Sequence, residues 1–330
     1  MGSIPLGSAE EVFKTAAAEL GQYLKRIPDG ELGSRSIWIA WQRNVFARLE
    51  GFDEVPPSPE AYVQRPLLRA RPGVTAADLR LGPLGYAQAA KESYAIFERL
   101  RAAGRLPPQV RFQVGLPAPI EPVIGMFTAD SHPIIAPVYE ERLLGELKEI
   151  LNAIPHEELA IQWETVYQLG VLEGMWTTYF DKGEIQARLA SLADQVPEPV
   201  QVGYHLCYGD AGHRHFKEPD DTKVMVDVAN GIIDNVHRSI EWFHMPVPRR
   251  RTDDPYFEPL RNLRLPSTTD LYLGLVHYTD KEEGARSRIE TASRFVPSFG
   301  VATECGLGRR PSETIPELFR IHAKVSEKLR

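Results

Sequence analysis

Short apolar runs alternate with amphipathic stretches from one end of the chain to the other. Strand-like runs fall at 110–116 (VRFQVGL), 159–163 (LAIQW), 200–207 (VQVGYHLC), 239–245 (SIEWFHM), 270–278 (DLYLGLVHY) and 299–305 (FGVATEC). A shorter run at 25–28 (KRIP) and the segment Ser3–Leu6 are two further candidates. Between these runs, helical patterns cover 9–24, 85–103, 138–153, 183–195, 222–238, 282–295 and 314–329. In the third of them Leu143, Leu144, Leu147, Ile150 and Leu151 form one apolar stripe at helical spacing. Strands alternating with helices of this length predict βαβ units and a parallel sheet. About eight such units predict a closed (β/α)8 TIM barrel, an α/β fold with 1–330 as a single domain. No glycine fingerprint of the dinucleotide or P-loop kind follows the first strand. The stretch 50–84, with EVPPSPEAYVQRPLLRARPG, is expected to be an irregular excursion over the C-terminal face of the barrel.

Composition narrows the classes of function. The 330 residues are 43% hydrophobic and 25% charged, ample material for a large core. A net charge of −7 offers no global basic field for nucleic acid or an anionic membrane. The one dense basic run, VPRRRTDD at 247–254, is followed at once by acids and is expected to be a solvated loop. No stretch has the apolar length needed to span a bilayer. MGSIPLGSAEEVF lacks the basic and apolar regions of a signal peptide, so a cytoplasmic location is expected. In that reducing setting Cys207 and Cys305 are expected to be free thiols.

The candidate chemistry begins in VGYHLCYGD. Residues two apart on a strand share a face, so Gly203, His205 and Cys207 point the same way. They sit at the C-terminal end of their run, where barrels of this class build active sites. Cys305 ends the run FGVATEC and reaches the same face. One imidazole and two thiolates suit zinc and leave one coordination position open. SIEWFHM offers a fourth group. Its alternation puts Trp242 and His244 on one face and Glu241, Phe243 and Met245 on the other. His244, nearer the strand end, is the better candidate and Glu241 the second.

With these residues in place, the chain resembles the catalytic half of cobalamin-independent methionine synthase, within the uroporphyrinogen-decarboxylase/methionine-synthase barrel superfamily. The resemblance runs along essentially the whole chain in order. The family's His-x-Cys matches His205-x-Cys207, and its final "Asp-Cys-Gly-Leu" turn matches Glu304-Cys305-Gly306-Leu307. An early "Gly-Ser-hydrophobic-Pro" matches Gly2-Ser3-Ile4-Pro5, and a "Gly-Glu" matches Gly30-Glu31. The "Ile-Gln-hydrophobic-Asp" strand matches Ile161-Gln162-Trp163-Glu164. The resemblance implies zinc on His205, Cys207 and Cys305, and Ser3, Glu31 and Glu164 holding the amino-acid part of a thiol substrate. The family's glutamate ligand falls on or near His244 here, which would leave the centre more neutral and a bound thiolate less nucleophilic. Its catalytic histidine aligns two residues away from His277, so His277 and Glu164 are the catalytic candidates. PAPIEPVIGMF lacks the tryptophan on which the family stacks folate, although Trp38 and Trp41 offer another aromatic surface.

The implied activity is zinc-dependent methyl or alkyl transfer to a small sulfur-containing substrate from a methyl donor, other than folate-dependent methionine synthesis. A lyase or decarboxylase whose metal polarises substrate, and a non-catalytic metal- or ligand-binding barrel, are the alternatives. Neither nucleic acid nor a membrane is an expected partner.

Overall fold

The computed structural model describes residues 2–327. Its strands are β1 (Arg26–Pro28), β2 (Phe52–Val55), β3 (Leu67–Ala70), β4 (Arg111–Pro117), β5 (Leu159–Thr165), β6 (Gln201–Leu206), β7 (Trp242–Pro246), β8 (Asp270–Val276) and β9 (Gly300–Thr303). Seven of them form one sheet in the order β1-β4-β5-β6-β7-β8-β9, every neighbouring pair parallel. Each expected helical pattern holds a helix, although the one expected at 138–153 runs His132–Ala153 and two unexpected short helices, Ile120–Met126 and Tyr167–Leu172, follow β4 and β5. The last, Ile315–Ser326, leaves the final two positions of the expected 314–329 helix outside the described residues. Helix Ala9–Leu20 packs against both Ile315–Ser326 and Tyr86–Ala102, so the helical layer joins the end of the chain to its beginning.

About eight strands were expected in the barrel sheet, and seven pair in it among the described residues. The segment Ser3–Leu6 forms no strand. Ser3 instead makes a single parallel bridge to Gly30, with Ile4 N donating to Gly30 O at 2.8 Å. On its other side Leu307 N donates to Ser3 O at 2.7 Å. The N-terminal segment therefore spans the gap between the end of β1 and the turn after β9. The two proline-bounded residues Ile4 and Leu6 leave too few donors to extend the ladder further.

The excursion at 50–84 is also more regular than expected. β2 and β3 pair antiparallel from Phe52↔Ala70 to Val55↔Leu67. Buried Leu68 anchors the hairpin by bridging Phe127. Between the two strands, Tyr62 reaches the loop that follows β6. Ala211 N donates to its hydroxyl at 2.7 Å, and that hydroxyl donates to Arg214 O at 2.5 Å.

Alternation along the strands separates two chemistries. Leu116, Ile161, Trp163, Tyr204, Leu206, Phe243, Met245, Leu273 and Leu275 are buried and join the apolar core shared with the helices. Residues of the opposite parity are polar: Gln113, Gln162, Glu164, His205, His244 and Tyr272. They face one another across the curled sheet. Trp242 Nε1 lies 3.4 Å from Gln162 Oε1, and Gln162 Nε2 donates to Glu164 Oε1 at 2.6 Å. Barrels more often fill this space with branched aliphatic side chains.

Gly203 is what lets Trp242 lie across this interior. A Cβ built on Gly203 would stand 2.0 Å from the Trp242 ring, closer than atoms can pack. Gly203→Ala is expected to cost about 1–3 kcal/mol by overpacking, read as a lower denaturant midpoint at unchanged slope.

Candidate metal centre and its carboxylate pocket

Register builds the centre. Glu164 of β5 pairs laterally with His205 of β6, and His205 pairs with His244 of β7. The three side chains thus form a row at the C-terminal ends of adjacent strands, with His205 in the middle. Cys207 follows one pleat later on the same face. From the far side of the sheet, the turn after β9 brings Cys305 to within 3.7 Å, sulfur to sulfur, of Cys207. His205 Nε2 lies 3.9 Å from Cys305 Sγ. All three donor atoms fall within 4.8 Å of one another.

These spacings match a metal's needs. Two sulfurs bound at about 2.3 Å to tetrahedral zinc stand about 3.8 Å apart. The two thiols also share their proton unevenly. Donation to Cys305 pushes the Cys207 thiol well up, while Cys305 is held below its usual value by that same hydrogen bond. Arg309 adds its guanidinium 3.9 Å from Cys305 Sγ and is itself ion-paired to Asp210. The cluster can hold a metal ion.

The histidine tautomers follow from the hydrogen bonds. Burial pushes His205 well down and His244 to about 3, so both rings are neutral near pH 7. His244 Nε2 lies 2.9 Å from Thr303 O, an acceptor only, and so carries the proton. Its Nδ1 is then bare and accepts from His205 Nδ1–H at 2.6 Å. That leaves the lone pair of His205 Nε2 facing the two sulfurs, the form a metal requires. Both His244 nitrogens have partners here, His205 and the Thr303 carbonyl. The expected fourth ligand thus stands beside His205 as its hydrogen-bond partner. Glu241, the second choice, bonds Val202 N and Ser239 away from the centre.

The corner left open faces acid. Glu164 Oε2 lies 3.8 Å from His205 Nε2. Glu31 stands beside Glu164, both close to Gly115, where an added Cβ would be 2.9 Å from Glu31 and 3.4 Å from Glu164. The turn that aims Glu31 is left-handed at two successive residues, Gly30 (φ 91°) and Glu31 (φ 47°). Asp29 secures it, accepting from Glu31 N at 2.8 Å, Ser93 Oγ at 2.7 Å and Arg35 at 2.7 Å. Burial and the Glu164 charge push Glu31 up to about 8, and burial pushes Glu164 up to about 7. With Trp38, Trp41 and Tyr86 the two carboxylates line a pocket of about 20 Å³.

The other sequence candidates are placed differently. Ser3 Oγ accepts from Gly308 N at 3.2 Å, beside the turn that carries Cys305, and so serves that turn. His277 is buried with Nε2 on Val247 O at 2.8 Å and Nδ1 3.5 Å from Glu304. Its ring is occupied by these partners and is not brought into the thiol cluster. Glu304 also takes His215 Nε2 at 2.7 Å, a contact between two loops that strand patterning had no means of indicating. Strand patterning gave no signal for the Arg309–Asp210 pair beside Cys305, because both residues lie in loops.

No family model matches the chain, and no curated protein matches it. Nine solved chains match in structure. One is a methyltransferase from Methanosarcina mazei, with a TM-score of 0.51 and 13% identity over 96% of this chain and 85% of that one. At that identity the likeness is one of fold.

Glu31 gives this site a pH signature. A carboxyl raised on folding supports stability fully below its unfolded value of about 4.5 and loses that support as pH rises through its folded value of about 8. The melting temperature is expected to fall between pH 5 and pH 8, and Glu31→Gln to flatten that slope and raise the pH 8 value by a few degrees. A slope identical in the variant would assign the titration to other groups.

Proposed function

We propose that this chain is a zinc enzyme that transfers a methyl or alkyl group to the sulfur of a small thiol, the chemistry its resemblance to cobalamin-independent methionine synthase implies. The observation that carries the reading is the Cys207–Cys305 sulfur separation of 3.7 Å with a bare imidazole nitrogen 3.9 Å away. His205, Cys207 and Cys305 would hold the metal, whose contribution when bound is to keep a substrate thiol ionised near neutral pH. Methyl transfer also agrees with the fold likeness to a methyltransferase.

The remaining work falls to side chains. Glu31 and Glu164 grip a substrate ammonium group, a role that suits two carboxyls crowded together at Gly115, with Arg35 on the same wall committed to Asp29. Trp38, Trp41 and Tyr86 wall that end and keep water out. His244, through Thr303, holds His205 in its ligating tautomer. In the reaction the thiol proton leaves to solvent, a sulfur–carbon bond forms, and the bond from carbon to the donor breaks. The donor departs with that electron pair, and no external oxidant or reductant is needed. On this reading the barrel is eightfold, the segment around Ser3 serving as its eighth member, and residues 1–330 act as one unit in the cytoplasm.

Purified protein is expected to carry close to one zinc per chain, with Cys207→Ser and Cys305→Ser losing most of it. Incubation with homocysteine and a sulfonium methyl donor is expected to give a product heavier by one methylene. Less than about half an equivalent of metal under non-chelating conditions would overturn the zinc centre. His244→Ala is expected to keep the metal stoichiometry while weakening affinity about 10- to 100-fold, as loss of an orienting partner does. Unchanged affinity in that variant would remove His244 from the account.

A further inference from the structure

At the N-terminal ends of the strands, opposite the metal cluster, lies a hollow of about 980 Å³. Its origin is topological. β1 has three residues and β9 four, no pairing joins them among the described residues, and the Ser3 bridge ties only their far ends. The two edges therefore part and open a chamber between them. Its floor is formed by Gln113, Gln162, Trp242 and His244, whose other sides belong to the site just described. Water can fill such a space, but much of its wall is apolar. Leu260, Leu263, Leu265 and Phe299 face it, and hydrating them carries a cost that an apolar ligand would relieve.

Charge around the chamber is unbalanced. Among the described residues Asp270 is the one carboxylate on its wall, and Lys25 at 2.7 Å and Arg26 at 3.4 Å share it. Arg26 is almost fully covered, its guanidinium 4.0 Å over the Trp242 ring. A third cation, Arg261, lies 4.7 Å over Phe295 with no carboxylate partner among the described residues. Among the described residues, three cations against one acid leave the wall with a positive excess beside an aliphatic surface.

We propose that this chamber is a second ligand site, for a small organic anion with an apolar body. The anionic head sits against Lys25, Arg26 and Arg261, and the body lies along the leucines and Phe299. The site is separate from the carboxylate pocket, whose two acids would reject such a ligand.

The full-length protein, titrated with 8-anilinonaphthalene-1-sulfonate, is expected to bind one equivalent saturably. Decanoate is expected to displace the probe at least tenfold more effectively than decanol, and inorganic phosphate to leave it bound. Ser298 lies exposed at the rim. Ser298→Trp plugs the entrance and Arg261→Glu reverses the charge. Each should weaken probe binding at least tenfold with the melting temperature unchanged, while Glu31→Gln at the opposite end leaves binding within twofold. Binding that survives both Ser298→Trp and Arg261→Glu, or decanol competing as well as decanoate, or no saturable binding, would overturn the proposal.

Discussion

The lateral register of three strands is the constraint on which the rest of the site depends. Glu164, His205 and His244 stand opposite one another across β5, β6 and β7. Because side chains alternate with a period of two, a slip of one residue in any of these strands would send its member of the row into the helical layer. Only in this register does His244 reach His205 with one nitrogen and Thr303 with the other. The same register leaves His205 Nε2 turned toward the sulfurs. The last strand contributes through an irregularity. Between its pairings with Gly300 and Thr303, β8 carries one more residue than β9, which shifts the end of β9 relative to its neighbour. Cys305 follows directly from that shifted end.

A second feature follows from what the sheet encloses. Its outer face is apolar and supplies the packing energy, so the inner face is free to be polar. Polar groups in such a space must find partners, and here they form a connected set: Trp242 with Gln162, Gln162 with Glu164, His205 with His244. Arg26 lies over Trp242 and shares Asp270, closing the set toward the N-terminal face. The polar interior thus has a chemically distinct end on each side: thiols and carboxylates above, cations and aliphatic walls below.

Much of the fold could be read along the chain. Apolar runs such as LAIQW and DLYLGLV announce strands because their outward residues must be hydrophobic to meet the helices. The pairing of His205 with Cys207 on one face was equally legible, since it needs only the pleat. Errors gathered where local pattern is weak. The hairpin of β2 and β3 hides in a proline-rich stretch, because its buried anchor, Leu68, is fixed by Phe127 far away in sequence. Ser3–Leu6 reads as a strand but makes one bridge, because Pro5 interrupts its donors.

By itself the sequence determined the residue types available to the centre, their position at strand ends and the α/β character of the chain. These are local properties, set by side-chain period and by composition. Tertiary structure alone decided which histidine faces the two sulfurs and which one bonds to it. That distinction rests on the Thr303 carbonyl and on register between strands 39 positions apart in the chain. It also decided that Glu31 and Glu164 share a pocket, and that β1 and β9 part at one end while the N-terminal segment ties the other. No spacing along a single chain carries that information, because it arises only when the sheet curls and brings its first and last strands together.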